Sequence, residues 1–95
     1  MIERRGRVDV IREDVTVSGT YLLAIEDDRT PPTARGTARF FDNAHLIHRA
    51  LAVERVLLCI DGSAEIEVSI TVFVPGESFI AFTCADVSVL LSPRS

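Results

Sequence analysis

From Ala64 to Val74 the chain alternates without a break: Ala64, Ile66, Val68, Ile70, Val72 and Val74 are interleaved with Glu65, Glu67, Ser69, Thr71 and Phe73. A period of two held over eleven residues is that of an extended strand with one buried and one mostly wet face, and no helix can satisfy it. Asp61-Gly62 precedes the segment, a pair that tolerates the positive φ angles of a tight hairpin turn, with the apolar run Val56-Leu57-Leu58-Cys59-Ile60 on its far side. A β-hairpin is therefore expected. At the other end Pro75-Gly76 has the residues of a type II turn, proline with fixed φ and glycine with positive φ. Ser78 to Cys84 reads as the next strand and Val87 to Leu91 as another, so the C-terminal half is expected to be a four-stranded antiparallel meander.

The N-terminal half follows the same rule less regularly. Val15, Val17, Gly19, Tyr21, Leu23 and Ile25 share one face of a second long strand, and Gly19 reads as a bulge or bend. Glu26 to Thr33 is acidic and ends in Pro31-Pro32 before Thr33, which marks a loop ahead of a strand from Ala34 to Phe41; Val8 and Val10 mark a shorter strand near the start. The one helical pattern starts at Asp42 or Asn43, either able to cap free amides, and runs to about Val53. Its apolar face holds Leu46, Ile47, Ala50 and Leu51, with His45, His48, Arg49 and Ala52 opposite.

Valine, isoleucine and threonine supply 26 of the 95 residues, which suits a pleated, half-buried surface. The expected fold is a single domain over residues 1–95, α+β but mainly β. It is a six- to seven-stranded antiparallel roll or small barrel with one helix, about 43–53, between the third and fourth strands. One helix cannot cover so wide a sheet, so the sheet must close on itself or be covered by another copy. Apolar residues are also left over on the second faces, at Leu22, Ala24, Leu57, Cys59, Phe73, Phe40 and Phe41. A mean hydropathy of +0.27 is high for a chain with this surface-to-volume ratio, and a homodimer or larger homo-oligomer built on sheet faces is the expectation.

Charge excludes some partners. A formal net charge of -4 argues against bulk attraction to nucleic acid or to an anionic membrane. No apolar run approaches the roughly 20 residues of a membrane span, and the start of the chain lacks the apolar core of a secretory signal. A cytoplasmic location is expected, with Cys59 and Cys84 as reduced core thiols. All ten basic residues are arginine, the side chain better suited to interfacial ion pairs and to bidentate binding of carboxylate or phosphate.

Two groups of residues are candidates for ligand binding. Arg35 and Arg39 alternate with small residues along one strand and could hold an anion bidentately; the plainer alternative pairs them across the sheet with Glu65 and Glu67 or another acidic strand. The spacing Arg35-Gly36-Thr37-Ala38-Arg39, with Asp61-Gly62-Ser63 later, superficially resembles the arginine pair and DxSxxG turn of cyclic-dinucleotide-binding PilZ barrels. Ile66 stands where that motif has glycine, a helix intervenes, and the match spans a handful of positions, so no family is assigned on it. The second group is His45, His48 and Arg49 on the outer helix face. His45 and His48 with Cys59 and Cys84 have the right donor types for zinc, but the spacing does not support a site, and exposed histidines with buried thiols are the simpler reading. Glu65 and Glu67 read as solvated strand charges, because acid–base work requires a cleft that shifts one pKa. Glu26, Asp27 and Asp28 lack the alternating oxygen ligands of a calcium loop.

No catalytic residue, metal site or cofactor is assigned, and enzymatic activity is left undecided with the balance against it. The expected function is a small non-catalytic binding or interaction module, homo-oligomeric, that recognises a protein or small anionic ligand and neither nucleic acid nor membrane. The alternative is a small enzyme or ligand sensor with a pocket inside the roll, holding an anionic small molecule through its arginines.

Overall fold

A computed structural model describes residues 1–12, 14–41, 44–51, 53 and 55–91. The alternating segments become β1 (Ile2–Arg12), β2 (Val15–Glu26), β3 (Thr33–Phe40), β4 (Arg55–Ile60), β5 (Ala64–Val74) and β6 (Phe79–Cys84). The helix α1 (Ala44–Leu51) lies between β3 and β4, and a helical turn, α2 (Ser88–Leu91), follows β6. Every pair is antiparallel, in the order β1-β2-β3-β6-β5-β4, and the sheet closes because Val8 and Asp9 of β1 pair with Ile60 and Cys59 of β4. The chain is thus the mainly-β, six-stranded small barrel with one helix between the third and fourth strands. Asp42 and Asn43, the expected cap, and Ala52 lie outside the described residues, and the helix ends at Leu51, short of the expected Val53.

Closure gives each strand an inner and an outer face. Val8, Val17, Leu23, Leu58, Ile60, Ile80 and Phe82 fill the interior and are at most 1% exposed, each burial contributing about 1.5–3 kcal/mol before conformational entropy is set against it. The helix α1 packs against β1, β2 and the turn that follows β5. It buries Ile47, Ala50 and Leu51, which lie three and four residues apart as one helical face requires. At the opposite end of the barrel Val87 is fully buried and its amide donates to the Pro32 carbonyl at 2.9 Å.

Four local expectations are corrected. The first strand is long: β1 pairs with β2 continuously from Ile2↔Ile25 to Arg12↔Val15, hidden in the sequence because Arg4 and Gly6 interrupt its inner face between Ile2 and Val8. Val87 to Leu91 is not a strand, so the meander has three strands and not four. The Asp86 carboxylate accepts the Ser88 amide and the Leu90 amide donates to the Val87 carbonyl, both at 2.9 Å, which winds the segment into a helical turn. Pro75–Glu77 forms a 3₁₀ turn with the positive φ at Ser78, 56°, and not at Gly76.

Fourth, the bulge falls between Ile70 and Val72 and not at the expected Gly19. Thr71 is the extra residue, so the alternation inverts after it. Val72 turns outward, 48% exposed, and Phe73 turns in opposite Ile80 to pack on the core. Gly19 instead serves close strand approach: a Cβ there would lie 2.0 Å from the Arg39 carbonyl oxygen. The Asp61-Gly62 turn is as expected, with φ of 55° and 73°.

Candidate functional site

Strand alternation points Arg35, Thr37 and Arg39 out of the barrel while Ala34, Ala38 and Phe40 pack inward. The two arginines share that outer face but do not converge. Arg39 lies over the Phe79 ring, 5.7 Å from its centroid, beside a depression floored by Thr20, Leu22 and Thr37. Arg35 lines a different cleft nearer the β2–β3 loop. Their expected pairing with Glu65 and Glu67 does not form, because β6 lies between β3 and β5. Arg35 stands opposite Ala24 and Thr83, and Arg39 opposite Thr20 and Phe79. Glu67 instead approaches Arg55 at 4.0 Å.

The helix residues form a separate group. His45, His48 and Arg49 are all exposed on α1, as the periodicity required. His48 stacks against Phe73 with ring centroids 6.1 Å apart, and Arg49 reaches Asp14 at 3.3 Å. None of the three lines either arginine depression. Cys59 is half-buried on β4 and Cys84 buried in β6, both free thiols, so the histidines and cysteines do not meet. Among the described residues no group of three or more His, Cys, Asp or Glu side chains is arranged to hold a metal ion, and no helix is long and apolar enough to cross a membrane.

Pairing register builds what sequence spacing could not. Arg35, Thr83, Ser69 and Arg55 are successive partners across β3, β6, β5 and β4, so they form one rung on the outside of the barrel. Together with Glu26 at the end of β2, Arg29 from the β2–β3 connection and Glu67 from β5, they line a cleft of about 520 Å³. The neighbouring rung is Leu22, Thr37, Ala81 and Val72 across β2, β3, β6 and β5. It carries no charge at all.

Comparison with known proteins gives no relative. The chain matches no protein-family model, no curated protein and no solved structure.

The most connected polar cluster was invisible in the sequence, since it joins residues from four distant segments. Arg4 faces inward near the start of β1, where its guanidinium donates to the Tyr21 hydroxyl at 3.1 Å, to Asp61 Oδ2 at 2.9 Å and to the Leu90 carbonyl at 3.3 Å. The Tyr21 hydroxyl donates to the same Asp61 oxygen at 3.0 Å, and the Arg7 amide donates to Asp61 Oδ1 at 3.1 Å. Gly6 permits the approach, because a Cβ there would lie 2.1 Å from Asp61 Oδ1. Burial pushes the Asp61 carboxyl up, but hydrogen bonds from Arg4, Tyr21 and the Arg7 amide outweigh it and hold the group below its ordinary value. Burial, and then the bond to Asp61, raises the Tyr21 phenol. Both shifts move away from neutrality, the reverse of what proton-transfer catalysis at neutral pH needs. The cluster is a latch that ties the β4–β5 turn to β1, β2 and α2.

Proposed function

We propose that the protein is a non-catalytic interaction module that assembles as a homo-oligomer, at its simplest a dimer, through the outer face of β2, β3, β6 and β5. The observation that carries this reading is the uncharged rung of Leu22, Thr37, Ala81 and Val72, in which Leu22 is 43% and Val72 48% exposed. With the strands closed into a barrel, the outer sheet face is the surface we take a second copy to cover. Small side chains at Thr37 and Ala81 leave a shallow trough beside Leu22 that a protruding apolar side chain can enter. Around the rung stand both charge signs, Glu3 and Arg5 on β1 and Arg39 on β3, which suits a self-complementary patch meeting its own copy across a two-fold axis.

The packed interior favours this reading over a ligand pocket inside the roll. Phe82, Leu23, Ile80 and Leu58 occupy that space, and the histidines face outward. A cytoplasmic location fits the two free thiols and belongs to the same proposal.

Sedimentation equilibrium or light scattering at micromolar concentration tests it. The wild-type chain is expected to be a dimer or larger, and Leu22→Asp or Val72→Asp to be a folded monomer, since both positions are outward in the single chain. A wild-type monomer sinks the reading, as does an oligomer that both substitutions leave intact.

A further inference from the structure

We infer that the cleft between Arg29, Arg35 and Arg55 is a binding site for a small phosphate monoester that also carries hydroxyl groups. The cleft adjoins the uncharged rung, and Arg35 and Thr83 border both, but a ligand here is held by the side chains of one chain alone. The register places Arg35 at one end of a rung and Arg55 at the other, with the short hydroxyl side chains of Thr83 and Ser69 between them. Three strand intervals separate the two arginine backbones, about 14 Å, so long guanidinium-bearing side chains border a low polar floor. Arg29 adds a third guanidinium from the β2–β3 connection, and the open cleft's volume of about 520 Å³ lies within the range of small-molecule sites.

Charge and hydrogen bonding select the ligand class. Among the described residues Arg29 and Arg35 have no ion-pair partner, and Arg55 has only Glu67, at 4.0 Å. In a chain of net charge -4, three guanidiniums against the two carboxylates of Glu26 and Glu67 make this cleft locally positive. Guanidinium forks bind phosphate oxygens bidentately, so the phosphate sits between Arg35 and Arg29. Ser69 and Thr83 offer hydroxyls on the floor, and Glu67 beyond them accepts hydrogen bonds from ligand hydroxyls. The same carboxylates repel a polyanion such as a triphosphate. No aromatic ring lines the cleft, so nothing there stacks a nucleobase.

Titration of ¹⁵N-labelled protein at constant ionic strength, followed by NMR, tests the assignment with glucose 6-phosphate, inorganic phosphate, glucose and succinate as probes. Glucose 6-phosphate is expected to give saturable shifts centred on Arg35, Ser69 and Thr83, and to bind more tightly than the other three. Arg35→Gln is expected to weaken it by about tenfold, and Thr83→Val by a smaller factor. Both positions face outward, and a thermal melt of each variant confirms its fold. The inference is overturned if glucose 6-phosphate gives no saturable shift, if Arg35→Gln leaves its affinity unchanged, or if inorganic phosphate or succinate binds as tightly.

Discussion

The Tyr21 hydroxyl donates to Asp61 Oδ2 at 3.0 Å across forty positions of chain, and the Arg4 guanidinium grips both. These contacts join the β4–β5 turn to the first two strands, next to the seam where β1 and β4 share only two ladder positions, Val8↔Ile60 and Asp9↔Cys59. The seam is the weakest pairing of the barrel, and the latch reinforces it. Tyr21→Phe removes one donor and should cost about 1 kcal/mol, a fall in melting temperature of roughly 4–8 °C for a domain of this size. Asp61→Ala strands Arg4, Tyr21 and the Arg7 amide together and should cost more, about 1–3 kcal/mol. A melt of the double variant that equals the sum of the two single effects would show that the pair is not coupled.

The same latch makes stability depend on pH in a defined direction. Asp61 has its carboxyl held below the ordinary value in the folded chain. A depressed folded pKa contributes stability above the unfolded value of about 3.9, and that contribution is lost as pH falls through the folded value. Asp61→Asn keeps a residue that tolerates positive φ while removing the titrating group. Melts of wild type and Asp61→Asn should therefore differ at neutral pH and converge as the pH is taken down to about 2. A gap that stays constant across that range would mean that the Asp61 charge contributes nothing.

Glycine substitutions should separate close approach from turn geometry. At Gly19 a Cβ would meet the Arg39 carbonyl oxygen at 2.0 Å and the Phe40 Cα at 2.7 Å. These are backbone atoms of a paired strand and cannot turn aside, so Gly19→Ala should prevent folding or lower the melting temperature more than any other glycine change. Gly62 has open space around it but a φ of 73°, and alanine there should cost about 1 kcal/mol. Gly76 has neither constraint, and Gly76→Ala should be neutral or slightly stabilising. Thermal melts of the three variants rank them directly.

How much of this could be read from the chain depends on the range of the interaction. The strand in Ala64–Val74 and the Asp61-Gly62 turn depend on neighbours in sequence, and both were legible. The inversion after Thr71 was not, because a single inserted residue leaves the hydrophobic pattern unmarked until the partner strand β6 is known. Val89, Leu90 and Leu91 have strand-like composition, yet the Asp86 carboxylate caps the Ser88 amide and the segment winds into α2. Strand alternation alone turns Arg35 outward, but its neighbours Thr83, Ser69 and Arg55 lie on strands whose order, β3-β6-β5-β4, is set only by barrel closure. Arg39, chosen for its spacing from Arg35, belongs to a different depression. Spacing along one strand cannot say which strand will lie beside it.

The two thiols occupy opposite faces of the wall, and chemistry should tell them apart. Cys59 is on the outer face of β4 and half-exposed, whereas Cys84 points inward with its Sγ 3.2 Å from the Glu67 carbonyl and 3.3 Å from the Asp86 carbonyl. Burial pushes the Cys84 thiol up, so it lacks both access and thiolate character. Native protein treated with iodoacetamide should take one label, at Cys59. Cys84 should be modified only through opening of the barrel, at a rate that rises with denaturant and with Asp61→Ala, because that substitution loosens the turn beside the seam. Peptide mapping by mass spectrometry reads both sites at once. Equal labelling of the two cysteines in native protein would place Cys84 on the outside and contradict the inward register of β6.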